Sequence, residues 1–320
     1  MKGLRLFLIL MLAVGITALA LPTQAQDNTA VVEAALEALL SVEDYTSYTS
    51  SSFVGQSANI EVFIGGESAL SQQSTDNTED VTTFVADGSL GNVLTITSAS
   101  STQTENGEMI IYNLDAETRI VDGVIYVSAA YEEADATLPA LPEGWIELTS
   151  ADLETYPGLD RLGFDTALTA QEEGTQIPFT NNYEALSEAL LTGTTTAIES
   201  PDSPTTDGRT GLGYTLILDA EGVALLLAAT PNIEENQVLG AMIDALDDTS
   251  TGFFSIVVDE DGLVMEASVT VTAIVTDLDV AAIDPNVPPG TTANISLILS
   301  NTTTLNDING DLELTEAPTE

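Results

Sequence analysis

The sequence predicts an α+β fold: one large curved antiparallel sheet, a half-barrel, wrapped around a few amphipathic helices. Three observations predict it. Period-two hydrophobic alternation recurs along the chain and is plainest over residues 263–275. The dipeptides Asp87-Gly88, Asn106-Gly107 and Asp122-Gly123, which tolerate positive φ in hairpin turns, punctuate the β-prone runs. Each long run has one apolar and one Ser/Thr-rich face, the pattern of a one-sided sheet, and three helical segments are too few to sheath two separate sheets. A single domain over residues 26–315 follows, preceded by a leader (1–25) and ending in a polar tail (316–320). Two pseudo-halves meeting near Thr180 are the alternative.

The first element is a helix. Val31, Val32, Ala35, Leu36, Leu39 and Leu40 share one face, opposite Glu33 and Glu37. A period of two then takes over. Ile60, Val62 and Ile64 point one way, Glu61 and Phe63 the other, and Leu94 and Ile96 alternate with Thr95 and Thr97. Further β-prone runs cover 109–114 and 119–128. Tyr156-Pro157-Gly158 reads as a turn and 171–174 as loop. Residues 181–191 form a short helix with Tyr183, Leu186 and Leu190 on one side. The polar stretch 200–204, with Pro201 and Pro204, reads as a surface excursion.

Strand character returns at 211–219, where Leu212, Tyr214, Leu216 and Leu218 alternate with Thr215 and Ile217. An apolar run (224–229) precedes Thr230-Pro231, an N-cap and first helical position. The helix beyond presents Ile233, Val238, Leu239, Met242, Ile243 and Leu246, with Glu234 and Glu235 suiting the dipole of its first turn. In the long strand, Leu263, Met265, Ala267, Val269, Val271, Ala273 and Val275 fall on one face. Residues 253–259 feed it through Glu260-Asp261-Gly262. Ile295, Leu297 and Leu299 repeat the alternation, and the polar tail frays beyond Leu314.

Composition excludes much chemistry. The 320 residues carry 51 acids and 5 bases, a net charge of −46, with no histidine and no cysteine. That balance repels nucleic-acid phosphates and anionic headgroups. The commonest general base and metal ligand, thiolate chemistry and disulfides are all missing. The only lysine, Lys2, lies in the leader, so no lysine Schiff base or phosphate loop is available beyond it.

Residues 1–25 have a basic start (Lys2, Arg5), an apolar run from Leu6 to Leu21, and Thr23-Gln24-Ala25 at the end. This is a secretory signal pattern with cleavage expected after Ala25; an uncleaved anchor is the alternative. No later stretch is apolar for about 18 residues, so no stable membrane insertion is expected after cleavage. Export without cysteine fits a bacterial extracellular, periplasmic or envelope protein stabilised by burial.

Asp122-Gly123-Val124-Ile125-Tyr126-Val127 followed by Leu141-Pro142-Glu143-Gly144-Trp145-Ile146-Glu147-Leu148 resembles the LolA/LolB-like exported proteins, specifically LppX/LprG-type lipoproteins. Gly213-Tyr214-Thr215-Leu216, a helix, and the run 254–264 resemble the second half of that group. The resemblance implies a half-barrel whose apolar cavity carries acyl chains between membranes, and no catalytic residue. The lipid-attachment cysteine of the group is missing here.

The expected cavity lining is Ile60, Val62, Ile64, Leu216, Leu218, Met242, Leu263, Met265, Ala267, Val269 and Val271; the same residues would equally make a solid core. Asp259-Glu260-Asp261-Gly262 and the run 307–311 present carboxylates at loop spacing, but the second has its glycine one position short of an EF-type loop. No catalytic residue, metal site or cofactor is expected. No pair stands out among the 51 acids to run a carboxylate hydrolase. Gly211-Leu212-Gly213 is a strand entry. Arg119, Arg161 and Arg209 are expected to pair with neighbouring acids, and Trp145 to anchor the core. The function expected is non-catalytic carriage of a lipid or other apolar molecule outside the cytoplasm. The alternative is a ligand-free structural or protein-interaction module of the envelope.

Overall fold

The computed structural model describes residues 28–86, 92–105, 108–134, 140–156, 159, 183–228, 237–283 and 286–318. The leader, the Asp87-Gly88 and Asn106-Gly107 turns, Pro157-Gly158, the 171–174 loop, Thr230-Pro231 and Arg161 lie outside them.

The chain opens with α1 (Asn28–Leu40) and a 3-10 turn (Ser41–Asp44). The strands β1 (Ser47–Ile64), β2 (Glu67–Val85), β3 (Asn92–Glu105), β4 (Glu108–Val121), β5 (Val124–Ala134) and β6 (Ile146–Glu147) follow. Helices α2 (Ser150–Thr155) and α3 (Tyr183–Gly193) lead to β7 (Thr194–Pro204) and β8 (Thr210–Leu218). Then come α4 (Ala220–Ala228), α5 (Gln237–Asp244), β9 (Thr251–Val258), β10 (Val264–Asp279), α6 (Val280–Ile283) and β11 (Thr291–Asn306).

All eleven strands join one sheet in the order β6-β5-β4-β3-β2-β1-β11-β10-β9-β8-β7. Every neighbouring pair is antiparallel. The β1–β6 meander and the β7–β11 half meet where β1 pairs with β11, from Thr49↔Asn306 to Ile64↔Thr291. Asp122 (φ 52°) and Gly123 (φ 78°) make the expected two-residue turn between β4 and β5. Gly65 (φ 61°) and Gly66 (φ 87°) do the same between β1 and β2.

The expected α+β half-barrel wrapped around helices is overturned. The described residues are 57% strand and 21% helix: an extended antiparallel sheet carrying a few short helices. The physical reason lies mainly in β2. Its nineteen residues hold almost no apolar alternation, yet β1 and β3 satisfy both edges of its backbone and its many threonines suit a pleated ladder. The strands therefore run much longer than hydrophobic periodicity suggests.

Two apolar clusters lie on one face of this sheet. The larger joins the inner residues of β8–β11 and the far end of β1 to α1, α3, α4 and α5. The smaller joins β3–β5 to Leu148, Leu153 of α2 and Leu159. In the larger one, α3 and α4 approach so closely that a Cβ on Gly193 would overlap the Gly222 backbone. Glycine at both positions makes this crossing possible. Among the described residues no helix is long and apolar enough to cross a membrane.

Two further expectations change. Residues 200–204 belong to the edge strand β7, with the register shifting between Ser200 and Ser203. Prolines are tolerated there because an edge strand has N–H groups that need no partner strand. The segment after β11 does not fray beyond Leu314 but runs back across the strand ends. The Asn309 N–H donates to the Ser47 carbonyl at 2.7 Å, and the Thr46 N–H donates to Asn309 Oδ1 at 2.8 Å. Further on, Asn92 exchanges two 2.7 Å bonds with the Thr315 backbone, and Arg119 reaches the Glu316 carbonyl at 3.1 Å.

Candidate functional site

The expected lining residues divide. Leu216, Leu218, Met242, Val269 and Val271 are buried in the larger cluster; Ile60, Val62, Leu263 and Ala267 border it half-buried. Ile64 lies at the hairpin end of β1, 43% exposed and outside the larger cluster. Met265 is displaced by a β-bulge: Val264 pairs with Val258 and Glu266 with Val257, leaving Met265 as the extra residue. The bulge changes the frame of β10. Val264 enters the larger cluster, Met265 is buried outside it, and the inward alternation resumes at Ala267. Glu266 turns to the opposite face, where its carboxylate accepts the Thr206 N–H at 2.6 Å.

Beneath β8–β11 lie α1, α3, α4 and α5. Val223 and Leu227 of α4 are fully buried against the same cluster as Leu216, Val271 and Leu297. Tyr45 closes one end, its hydroxyl accepting the Val264 N–H at 2.8 Å. Under β5 and β6, Val127, Ala129, Leu141, Pro142 and Ile146 line a crevice of about 10 Å³, room for one water at most.

Between the two clusters the covered face is polar, a feature periodicity did not expose. Cross-strand register aligns Ser52, Asp80 and Thr97 in one row, and Gln56, Asp76 and Ser101 in another. Thr97 donates to Asp80 at 2.6 Å and Ser101 to Asp76 at 2.7 Å. Asn301 Oδ1 accepts from Ser52 and Thr303, while its buried Nδ2, like Thr118 Oγ1, has no partner among the described residues. Burial pushes the Asp80 carboxyl above its ordinary value, against the smaller opposing pull of the Thr97 hydrogen bond. An ionised Asp80 therefore costs stability above its raised folded pKa, and the cost disappears as pH falls through that value. Asp80→Asn keeps the acceptor for Thr97 and removes the charge that burial disfavours, so it is expected to stabilise the protein at pH 7. The gain should vanish near pH 3, as urea titrations at the two pH values would show.

The opposite, open face carries Ser, Thr, Asn and Glu with scattered apolar residues, among them Ile198 and Ile298, 43% and 45% exposed, and a group on β1–β3. Val81 lies directly across from Ile96, and Phe53 is diagonal to Val81 because Ser51 faces Val81 and Glu79 faces Phe53. Phe53, the lone aromatic among the serines of 50–57, is the signal in the sequence, but without the register nothing links it to Val81 or Ile96.

The two described cations, Arg119 and Arg209, pair with acids and backbone carbonyls. Arg119 donates to Glu117 at 2.8 Å and lies 4.7 Å from the Trp145 ring centre. Trp145 is half-buried against that guanidinium, and the buried anchor of this region is Leu148. Arg209 binds Asp207 at 2.8 Å and donates to the Leu305 carbonyl at 2.8 Å, folding the β7–β8 tip over the sheet. The Arg209 hydrogen bond, helped by Thr205, lowers the Asp207 carboxyl to about 2. The loop carboxylates are used internally: Asp259 Oδ1 caps the Asp261 and Leu263 N–H groups, and Asp307 accepts from Thr49.

No family model and no curated protein matches the chain. Among solved structures it is similar to the translocator domain of autotransporter NalP from Neisseria meningitidis, at 8% identity and a TM-score of 0.21. That match covers 87% of this chain and 97% of the other, and a score so low carries no argument.

Proposed function

We propose that the chain is an exported, non-catalytic interaction module of the cell envelope that works through its surface, with an interior filled by its own side chains. One observation carries this reading over the carrier alternative. Leu216, Val223, Leu227 and Val271, on two strands and a helix, are all 0% exposed within one cluster. Pockets for lipid-sized ligands hold roughly 300 Å³ or more, whereas these four side chains sit in one cluster with no exposed surface. Export is supported by the leader pattern of residues 1–25. The non-catalytic part is supported by a chain that offers no histidine, no cysteine and no lysine beyond Lys2.

Native mass spectrometry with lipid extraction of the purified protein tests the reading. The expected result is the polypeptide mass alone and no uptake of a fluorescent fatty acid. A lipid recovered at one per chain would overturn it in favour of carriage.

A further inference from the structure

We propose that the apolar island of Phe53, Val81 and Ile96 docks a segment of a partner protein that presents large apolar side chains among lysines and arginines. This deepens the surface-module reading and rests on it. A one-sided sheet exposes polar residues on its open face, and isolated apolar residues there are ordinary. Here three of them adjoin on three consecutive strands, 42%, 52% and 55% exposed. Phenylalanine is enriched at interfaces relative to the rest of a protein surface, and the two β-branched side chains widen the apolar area beside it.

The rim decides the partner. Glu79 stands directly opposite Phe53, Glu117 opposite Ile96, and Asp115 opposite Ser98 one row away. Glu117 is held by Arg119, while Glu79 and Asp115 are exposed. An acidic rim around an apolar centre is complementary to a basic rim. A second copy of this chain, at net charge −46, would bring like charges together, as would a nucleic acid or an anionic membrane. A cationic protein segment is the occupant whose charge and contact surface both fit.

Calorimetry at 0.15 M salt, using two synthetic peptides of equal length and charge, tests the proposal. One alternates leucine with lysine; the other alternates serine with lysine. The intact protein is expected to bind the leucine peptide at least tenfold more tightly than the serine peptide. The V81T/I96T double variant keeps the net charge and strand propensity, and should lose at least tenfold of that affinity. Glu79→Gln, an exposed change that leaves the core alone, should weaken it by a few fold. Amide-exchange protection should centre on Phe53, Val81 and Ile96. Equal affinity for both peptides, or an undiminished affinity in V81T/I96T, would mean that charge alone holds the peptide, and overturns the proposal. The lipid-recovery experiment is independent: docking can fail while the interior proves filled, and lipid can be recovered while docking succeeds.

Discussion

Leu227→Ala is expected to lower the unfolding free energy by about 2–5 kcal/mol, the range for a buried leucine truncated where neighbours cannot close the gap. Leu227 sits on α4, fully buried in the larger cluster with Leu216 and Val271. Little collapse is available, because the Gly193–Gly222 contact already brings α3 and α4 as close as their backbones allow. Urea denaturation followed by circular dichroism would read the change. The same substitution separates the two functional readings. At the wall of a ligand space, losing three carbons enlarges the space and changes uptake, with a stability cost well under 1 kcal/mol. In a filled interior it leaves a void that the rest of the core must tolerate. A loss below about 1 kcal/mol would therefore count against the filled interior.

Deleting residues 307–320 is expected to cost about 2–4 kcal/mol, a large effect for a segment so polar. It removes hydrogen bonds from Asn309 to Thr46 and Ser47, from Thr315 to Asn92 and from Glu316 to Arg119. At roughly 1 kcal/mol net for each bond whose partner stays exposed to water, and more where it is buried, these dominate the total. Asn92 is buried, so Asn92→Ala alone should cost about 1–2 kcal/mol by stranding the Thr315 backbone groups. Ile308 adds packing against the larger cluster. Since Asn92 and Arg119 belong to β3 and β4 while the segment leaves from β11, the deletion should loosen the β3–β6 side first. Hydrogen exchange of the truncated protein would show whether β3–β6 amides lose protection ahead of those in β8–β10.

Parts of this architecture are readable without coordinates. The face of α1 formed by Val31, Ala35, Leu36 and Leu39 is buried as its spacing implies. The alternations of β8 and β11 place Leu216, Leu218, Ile295, Leu297 and Leu299 inward, and Asp122-Gly123 turns the chain where expected. These features are local: a period or a dipeptide contains the whole cause. What periodicity missed depends on partners distant in sequence. β2 is a strand because β1 and β3 flank it, and Asp80 is half-buried in a row it shares with Ser52 and Thr97. Met265 leaves the inward frame because Val257 and Val258 of β9 pair around it.

Composition by itself determined which functional groups this chain lacks and the sign of its net charge, since neither depends on folding. It also marked the apolar faces that must be hidden. Only the tertiary structure decided what hides them: α1, α3, α4 and α5 lie on one end of an eleven-stranded sheet and pack against it. It also decided that Phe53, Val81 and Ile96 meet on the open face. Cross-strand register is a relation between segments, and no single segment encodes it.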